Sequence, residues 1–293
     1  MLLDGKESYF LKTIRTDMKH VAYFSRLPWL FPFFKRTPVL NANHVKFWKW
    51  IEERIAERSA AVLEQPDVFS WILDAYCKGS MSQQDTLNLH GDAYLIVVAG
   101  SDTTAATLTN MFFHLALDQK LASQVQESLD QLPDLANDKL ASIDLLDAII
   151  NETLRLHPPT PSGLQRITPT EGLNIGEIYV PGNVIVQVPL HTVFRDKRVF
   201  ELPNDFIPQR WTKRRELIKD ESVFVPFSTG PYSCVGKRLA LMELRRVTAE
   251  LLHRYDVSLA PSQTEKSFLE GKQDTFTLVP AALSLVFRRR QQR

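Results

Sequence analysis

FSTGPYSCVG, residues Phe227–Gly236, places one cysteine, Cys234, four residues after Gly230 and two before Gly236. An apolar run with helical periodicity, KRLALMELRRVTAELLHRY, follows at once. Glycine lets a backbone pass close to a flat ring, because a Cβ would collide with it. The amino terminus of the following helix favours thiolate over thiol, and Phe227 is expected to pack beside the sulfur and limit water. The pattern predicts a thiolate that binds the metal of a flat, bulky macrocycle.

Taken alone, Cys234 is more simply a buried structural thiol. With Phe227, Gly230 and Gly236 at their spacing, however, the stretch resembles the haem-binding signature of the cytochrome P-450 family, F-x-x-G-x-R-x-C-x-G. The resemblance implies that Cys234 is the proximal axial ligand of haem iron, with haem b (iron protoporphyrin IX) as cofactor. Where the family has Arg or His beside a haem propionate, this chain has Tyr232, which can donate a hydrogen bond but carries no charge. Weaker propionate anchoring by this loop is expected.

Two further motifs follow the family in order and spacing. Glu152 and Arg155, in IDLLDAIINETLRLHPP, lie three residues apart on one side of a predicted helix and can pair, although E-x-x-R alone is common on surface helices. Arg210, in FIPQRW, matches the arginine that completes the family's Glu–Arg–Arg cluster. The resemblance implies a buried network of these three residues. Such a network stabilises only when complete, because a partner left alone is an uncompensated buried charge.

A fourth motif, AGSDTT (residues 99–104), lies in a long apolar helix that is predicted to run roughly from Gln83 to Leu117. An interior glycine such as Gly100 lowers helix stability by about 1 kcal/mol relative to alanine, so its presence suggests a functional role. The resemblance implies that the helix is locally opened there, forming a groove for dioxygen and water, and that Asp102 and Thr103 handle protons. By itself, D-T-T is an ordinary polar patch on a helix.

Smaller features complete the candidate site. Arg166 stands where the family often has an arginine that binds a haem propionate, and a solvated loop arginine is the alternative. The pocket candidates are Ala99, Gly100, Leu164, Phe276 and Leu278. For Leu164 and for the stretch Phe276–Val279, ordinary core packing is an equal alternative. The segment LNIGEIYVPGNVIVQVP predicts a hairpin around Pro181–Gly182. The stretch TFTLVPAALSLVF, residues 275–287, predicts a final strand pair.

Composition sets limits on the class of protein. The chain has 293 residues, 44% of them hydrophobic, which is enough for a real core. Its net charge of +1 argues against nucleic acid or another polyanion as a partner. The two cysteines imply no disulfide framework, and Cys77 is predicted to be a free thiol. The fold class predicted by the resemblance is mainly α with small β-sheets (α+β), the cytochrome P-450 fold with its N-terminal part missing.

The resemblance covers residues 1–293 as a single partial domain, from about the helix F/G region of the family to its C-terminus. The sequence contains no run of about 18 apolar residues, so no transmembrane anchor is predicted in this chain. Full-length relatives of the microsomal branch are expected at the cytosolic face of the endoplasmic reticulum membrane. LPWLFPFF (Leu27–Phe34), followed by Lys35 and Arg36, would be a membrane-dipping loop, since Trp and Phe prefer the bilayer interface. A Pro-broken core segment is the alternative.

The function implied is that of a haem-thiolate monooxygenase. It inserts one oxygen atom from O2 into a small, lipophilic organic substrate, with electrons from NADPH–cytochrome P-450 reductase. Four basic residues after the cysteine are a candidate docking patch for that reductase, with an ordinary solvated face as the alternative: Lys237, Arg238, Arg245 and Arg246. The alternatives are a truncated, inactive fragment or interaction protein, and a haem-binding or sensing module. The motif sequences suggest fungal secondary metabolism or detoxification.

Overall fold

The structure, a computed structural model, describes residues 27–61, 64–76 and 81–291. The predictions for Cys77 and for the first 26 residues therefore lie outside the described residues. The chain divides into two compact units, Met1–Ser101 and Asp102–Arg293. Helices predominate and the strands are short and few, so the prediction of a mainly α fold with small β-sheets is confirmed.

The helices and strands are numbered along the chain. The α-helices are α1 (Phe31–Arg36), α2 (Pro38–Ala60), α3 (Val68–Tyr76), α4 (Gln83–Leu117), α5 (Gln119–Asp130), α6 (Asn137–Leu140), α7 (Asp144–Leu156), α8 (Leu190–Val193), α9 (Lys237–Arg254) and α10 (Glu265–Glu270). The β-strands are β1 (Arg166–Ile167), β2 (Leu173–Ile175), β3 (Ile178–Val180), β4 (Ile185–Val186), β5 (Tyr255–Leu259), β6 (Gln273–Thr275), β7 (Thr277–Val279) and β8 (Leu285–Arg289). The predicted long helix has the bounds of α4 and is confirmed.

In the first unit, α2 packs one apolar face against the amino-terminal part of α4. Phe47, Ile51 and Ile55 recur at four-residue intervals on α2, and they form a cluster with buried residues of α4 that include Leu89 and Ala93. Side chains four apart lie on the same side of a helix, which is why these α2 positions are buried together.

The second unit has a larger core, to which α4, α5, α7 and α9 all contribute. Its fully buried members are Met111, Leu115, Val125, Leu140, Leu146, Ile149, Ile150, Ala249 and Leu252. Helix α5 begins at a real cap, because the Asp118 side chain accepts a hydrogen bond from the Leu121 N–H at 2.9 Å. Helix α7 is buried over most of its surface, which places Glu152 and Arg155 in the interior.

The strands form antiparallel pairs that differ from two of the sequence predictions. Strand β2 pairs with β3, and the two residues between them, Gly176 and Glu177, form the hairpin turn. The prediction that the turn lies at Pro181–Gly182 is therefore wrong. Gly176 has a φ of +60°, which suits glycine at a tight turn. Gly182 instead lies where a Cβ would come within 2.0 Å of the Thr170 carbonyl oxygen.

The predicted final strand pair is also wrong. Strand β7 pairs with β6, and β8 pairs with β5, which follows directly from α9. Both parts of the 275–287 stretch are extended, but they have different partners. Alternation of apolar residues predicts a strand without specifying which strand lies beside it.

The segment Leu27–Phe34 consists of a 3-10 turn, Pro28–Leu30, and the start of α1. Trp29 and Phe33 are exposed, at 66% and 62%, whereas Phe34 is buried. Within the described ranges no helix is long and apolar enough to cross a membrane. Contact of this segment with a membrane stays a prediction.

Candidate active site

Cys234 lies in a short loop between the 3-10 turn Gly230–Tyr232 and helix α9, and its side chain is exposed. Its N–H donates to the Phe227 carbonyl oxygen at 2.8 Å, and the Ser233 N–H donates to the Gly230 carbonyl oxygen at 3.1 Å. The Cys234 carbonyl oxygen accepts from the Lys237 N–H at 3.3 Å. These backbone bonds fix the cysteine against the start of the helix, with its sulfur facing outward.

The two glycines of this loop have different structural roles. Gly230 has a φ of +73°, a conformation that strains any residue with a side chain. Gly236 has an ordinary φ of −81°, and a Cβ there would lie 3.8 Å from Cys234 Sγ, a normal contact. The backbone therefore accounts for Gly230, while close approach of a ring to Gly236 stays a prediction.

The electrostatic surroundings of the sulfur suit an anion. The first turn of α9 contains no acidic residue and has the exposed cations Lys237 and Arg238. The amino terminus of a helix is the positive end of its dipole, so α9 directs positive charge and backbone N–H groups toward this loop. Phe227 anchors the loop by packing against the main core, and Lys237 Nζ lies 5.7 Å from the centre of its ring.

A haem fits this loop on chemical grounds. No group of three or more His, Cys, Asp or Glu residues that could hold a metal ion occurs in the described part of the chain. The cysteine loop offers one thiolate ligand, which suits a metal whose other ligands come from a macrocycle. Exposed apolar and aromatic side chains flank the sulfur, since Tyr232 and Val235 are exposed at 75% and 102%. A large planar apolar group would cover such a surface.

The structure brings Arg166 and Tyr232 together, although the sequence analysis considered them separately. The Arg166 guanidinium lies 5.4 Å from the centre of the Tyr232 ring. A guanidinium over an aromatic face is held there by attraction to the ring. The loop therefore lacks a cation at position 232 but has one stacked on that residue.

Glu152, Arg155 and Arg210 form a fully buried cluster. Glu152 accepts two hydrogen bonds from Arg155, at 2.8 and 2.9 Å, and one from Arg210 Nε at 2.9 Å. Burial lowers the pKa of Arg210, and the neighbouring Glu152 carboxylate acts in the opposite direction. Bidentate pairing of this kind is among the strongest charge-assisted geometries in proteins.

The cluster also ties helix α7 to the loops that follow it. Arg155 Nη1 donates to the carbonyl oxygens of Phe194 and Pro203 at 2.9 and 2.6 Å. Arg210 Nη1 donates to the Glu201 carbonyl oxygen at 2.9 Å. Trp211 is a member that the sequence analysis missed, since its Nε1–H donates to Glu152 Oε2 at 2.9 Å. The position of Trp next to Arg210 was the only sequence signal for it.

Asp102 and Thr103 are half-buried on α4, and Ala99 and Gly100 are exposed on the same helix. The helix runs from Gln83 to Leu117 without a break, so the local opening that the resemblance predicts is not visible as an interruption. Hydroxyls do bond to the backbone in this stretch. Ser101 Oγ donates to the Val97 carbonyl oxygen at 2.7 Å, and Thr107 Oγ1 donates to that of Thr103 at 2.9 Å.

The three pocket candidates of the second unit all lie in or beside the short strands. Leu164 and Phe276 are exposed at 39% and 38%, and Leu278 is half-buried in β7. The Leu278 N–H donates to the Pro159 carbonyl oxygen at 2.8 Å, which holds β7 against the segment after α7. Partial exposure is compatible with a pocket wall, and that role stays a prediction.

Comparison with known proteins identifies the family. The family model described as cytochrome P-450 matches residues 1–287. The chain is 56% identical to cytochrome P-450 monooxygenase orf5 of Eupenicillium brefeldianum, over 100% of this chain and 60% of that protein. It is 46% identical to monooxygenase FCK2 of Fusarium pseudograminearum, over 99% and 54%. It thus spans little more than half the length of these relatives. A match to monooxygenase eupD of a Phoma species, at 34% identity, covers 90% of this chain and 97% of that protein.

Solved structures agree on the fold. A crystal structure of a cytochrome P-450 superposes with a TM-score of 0.78 at 24% identity, covering 99% of this chain and 63% of that one. A second, of a cytochrome P-450 haem domain, gives a TM-score of 0.77 at 20% identity, with 98% and 62% covered. The family implies an oxidoreductase that uses haem, O2, a small substrate and a redox partner. The motifs, the fold and the sequence matches agree, and the chain belongs to the cytochrome P-450 family.

Proposed function

We propose that the complete protein is a haem-thiolate monooxygenase that inserts one oxygen atom from O2 into a small, lipophilic organic substrate. The observation that carries this proposal is the exposed sulfur of Cys234, held by backbone hydrogen bonds in front of helix α9. When bound, iron protoporphyrin IX would supply the oxygen chemistry, with electrons from NADPH–cytochrome P-450 reductase. The residues of the chain hold the cofactor, orient it and manage protons.

Cys234 would hold the iron, and Arg166 with Tyr232 would hold a propionate. The stacked pair offers one positive charge and one phenolic hydrogen bond, which together replace the single Arg or His of the family signature. Asp102 and Thr103, half-buried on α4, are the candidates for moving protons. Leu164, Phe276 and Leu278 of the second unit are proposed as substrate-contacting residues. Ala99 and Gly100 on α4 are proposed separately for the same role.

The name of one relative supports hydroxylation as the type of reaction. One relative, 35% identical over 89% of this chain and 48% of that protein, is named tryprostatin B 6-hydroxylase and comes from Aspergillus fumigatus. We therefore favour a role in fungal secondary metabolism, with hydroxylation of a lipophilic substrate. Leu27–Phe34 is proposed to contact the surface of the endoplasmic reticulum membrane, where the reductase would also be found.

Two of the four basic residues proposed for the reductase patch pair with carboxylates of this chain. Arg245 makes a bidentate pair with Asp147 at 2.6 and 2.7 Å, and Arg246 pairs with Glu250 at 2.5 Å. These two guanidiniums are already neutralised by partners within the chain. Lys237 and Arg238 are exposed next to the cysteine loop, so they are the better candidates for contact with an acidic redox partner.

Thr103→Ala in the complete protein should separate oxygen consumption from product formation. Loss of the hydroxyl removes a proton-handling group while leaving the Cys234 loop intact, so haem binding is expected to persist. More of the NADPH consumed should then end as hydrogen peroxide. Peroxide and product are measured per NADPH with reductase present.

Thr109→Ala is the matched control, since Thr109 on the same helix bonds only to the Ala105 carbonyl oxygen in the described contacts, at 2.8 Å. Wild-type coupling in Thr103→Ala would assign proton handling to another residue, such as Thr104. Haem binding without turnover in the wild type would favour a haem-binding module over an enzyme.

Gly100→Ala and Gly91→Ala form a second matched pair on α4. A Cβ at either position meets nothing within 4 Å, so each variant should raise the free energy of unfolding by up to about 1 kcal/mol through helix propensity. If Gly100 borders the proposed groove, only Gly100→Ala should lower turnover. Urea unfolding and product formation are compared. Equal turnover in the two variants would remove Gly100 from the pocket.

A further inference from the structure

Lys272, between α10 and β6, has unusual surroundings for a lysine. Its Nζ lies 3.0 Å from His157 Nδ1, and the rings of Phe268 and Phe113 are centred 4.7 and 5.9 Å away. The described residues place no carboxylate in an ion pair with it. The neighbours of this amine are therefore an imidazole and two aromatic rings. The ammonium group of a surface lysine is surrounded by water instead.

The imidazole belongs to a hydrogen-bonded pair of histidines. His157 Nε2 lies 2.9 Å from His114 Nε2, and the His114 ring stacks on Phe206 with the centres 3.7 Å apart. Burial, with Lys272 adding to it, lowers the pKa of His114 to about 3 and holds that of His157 well below its usual value. Both rings are thus neutral at pH 7. When Lys272 donates to Nδ1 of His157, the single proton of that ring is on Nε2, and His114 accepts it.

The remaining charged groups around Lys272 do not supply a counter-ion. Arg195, which donates to the Leu156 carbonyl oxygen, adds positive charge. His191 has its own pKa lowered by burial and then by Arg195, and the nearby Asp274 accepts a hydrogen bond from Ser162. Burial first, and then Arg195, lowers the pKa of Lys272 to about 7. The ring faces favour the ammonium form and oppose these effects only in part.

A neutral amine is a nucleophile, and an acyl donor needs access to it from solvent. Lys272 is half-buried as a residue, and none of the proposed catalytic residues contacts it in the described interactions. In the neutral form, when one N–H donates to Nδ1 of His157, the nitrogen lone pair stays available for another bond. We propose that Lys272 is a modification site that accepts acyl groups from activated esters and thioesters.

The step is an ordinary acyl transfer. The lone pair of Nζ attacks the carbonyl carbon of the acyl donor and a C–N bond forms. The bond from that carbon to the oxygen or sulfur of the leaving group breaks, and its electron pair departs with the leaving group. One amine proton passes to water, and an amide remains on Lys272. No oxidant or further reactant is needed.

Trace acetylation of the complete protein with the N-hydroxysuccinimide ester of acetic acid, from pH 5 to 11, tests this proposal. Mass spectrometry of peptides gives the labelling rate of each lysine. Lys266 is the internal control, because its side chain is 81% exposed and its Nζ lies 4.0 Å from Glu270. Lysine at its ordinary pKa of about 10.4 is almost entirely protonated at neutral pH, so Lys272 is expected to label at least about tenfold faster than Lys266 at pH 7.

The half-point of the Lys272 labelling profile should fall near pH 7. Lys272→Arg identifies the labelled peptide, since it removes the amine. An acetyl thioester at pH 7 should show the same preference. A half-point for Lys272 equal to that of Lys266, or slower labelling than Lys266 at pH 7, would overturn the proposal.

Discussion

Cys234→Ser is expected to abolish the thiolate-type Soret band of the reduced carbon monoxide complex of the complete protein. A thiolate shifts that band to the red of its position in His-ligated haem, and a serine hydroxyl is not a thiolate donor. The loop itself should persist, because Cys234 is held through its backbone N–H and carbonyl groups. The measurement is the absorption spectrum together with the amount of haem retained per protein.

Cys77→Ser is the matched control, since the chain has only these two cysteines. Its spectrum should equal that of the wild type. A thiolate-type band that survives in Cys234→Ser would show that another group binds the iron, and the proposed function would fail with it. A band lost equally in both variants would point to general damage to the protein.

Glu152→Gln should cause the largest loss of stability among the substitutions considered. Glu152 accepts five hydrogen bonds: two from Arg155, and one each from Arg210, Trp211 and the Ile207 N–H. The amide keeps the shape but removes the negative charge, so two fully buried guanidiniums lose their only carboxylate partner in the cluster. Removing one partner of a buried pair costs about 3–5 kcal/mol. Urea unfolding of the complete protein, followed by circular dichroism, measures this loss.

Asp147→Asn on the same helix is the control for charge removal. Asp147 also pairs with an arginine, Arg245, at 2.6 Å, but its side chain is 34% exposed. Water compensates the loss of an exposed partner, so this variant should lose less than about 1 kcal/mol. If the two variants proved equally stable, the cluster around Glu152 would not hold α7 to the loops that follow it.

The local features of the fold and the site could be predicted from the sequence alone. The bounds of α4, the helix after Cys234 and the helical position of Glu152 and Arg155 follow from periodicity within one segment. The cysteine loop could be identified because its chemistry requires particular residues at fixed spacing. Fold class and family followed from the same motifs, taken in order.

Pairings between distant segments were decided only by the tertiary structure. Alternation in residues 173–188 indicated a hairpin, yet Gly176 makes the turn and Gly182 meets the backbone of Thr170. The strands of residues 275–287 pair with β5 and β6 and not with each other, because register depends on a partner that the segment itself does not encode. In the same way, the stacking of Arg166 on Tyr232, the Trp211 hydrogen bond to Glu152 and the contact of Lys272 with His157 join residues far apart in the chain. Such contacts arise when packing removes water from groups that no local pattern relates, so they can be read only from the folded protein.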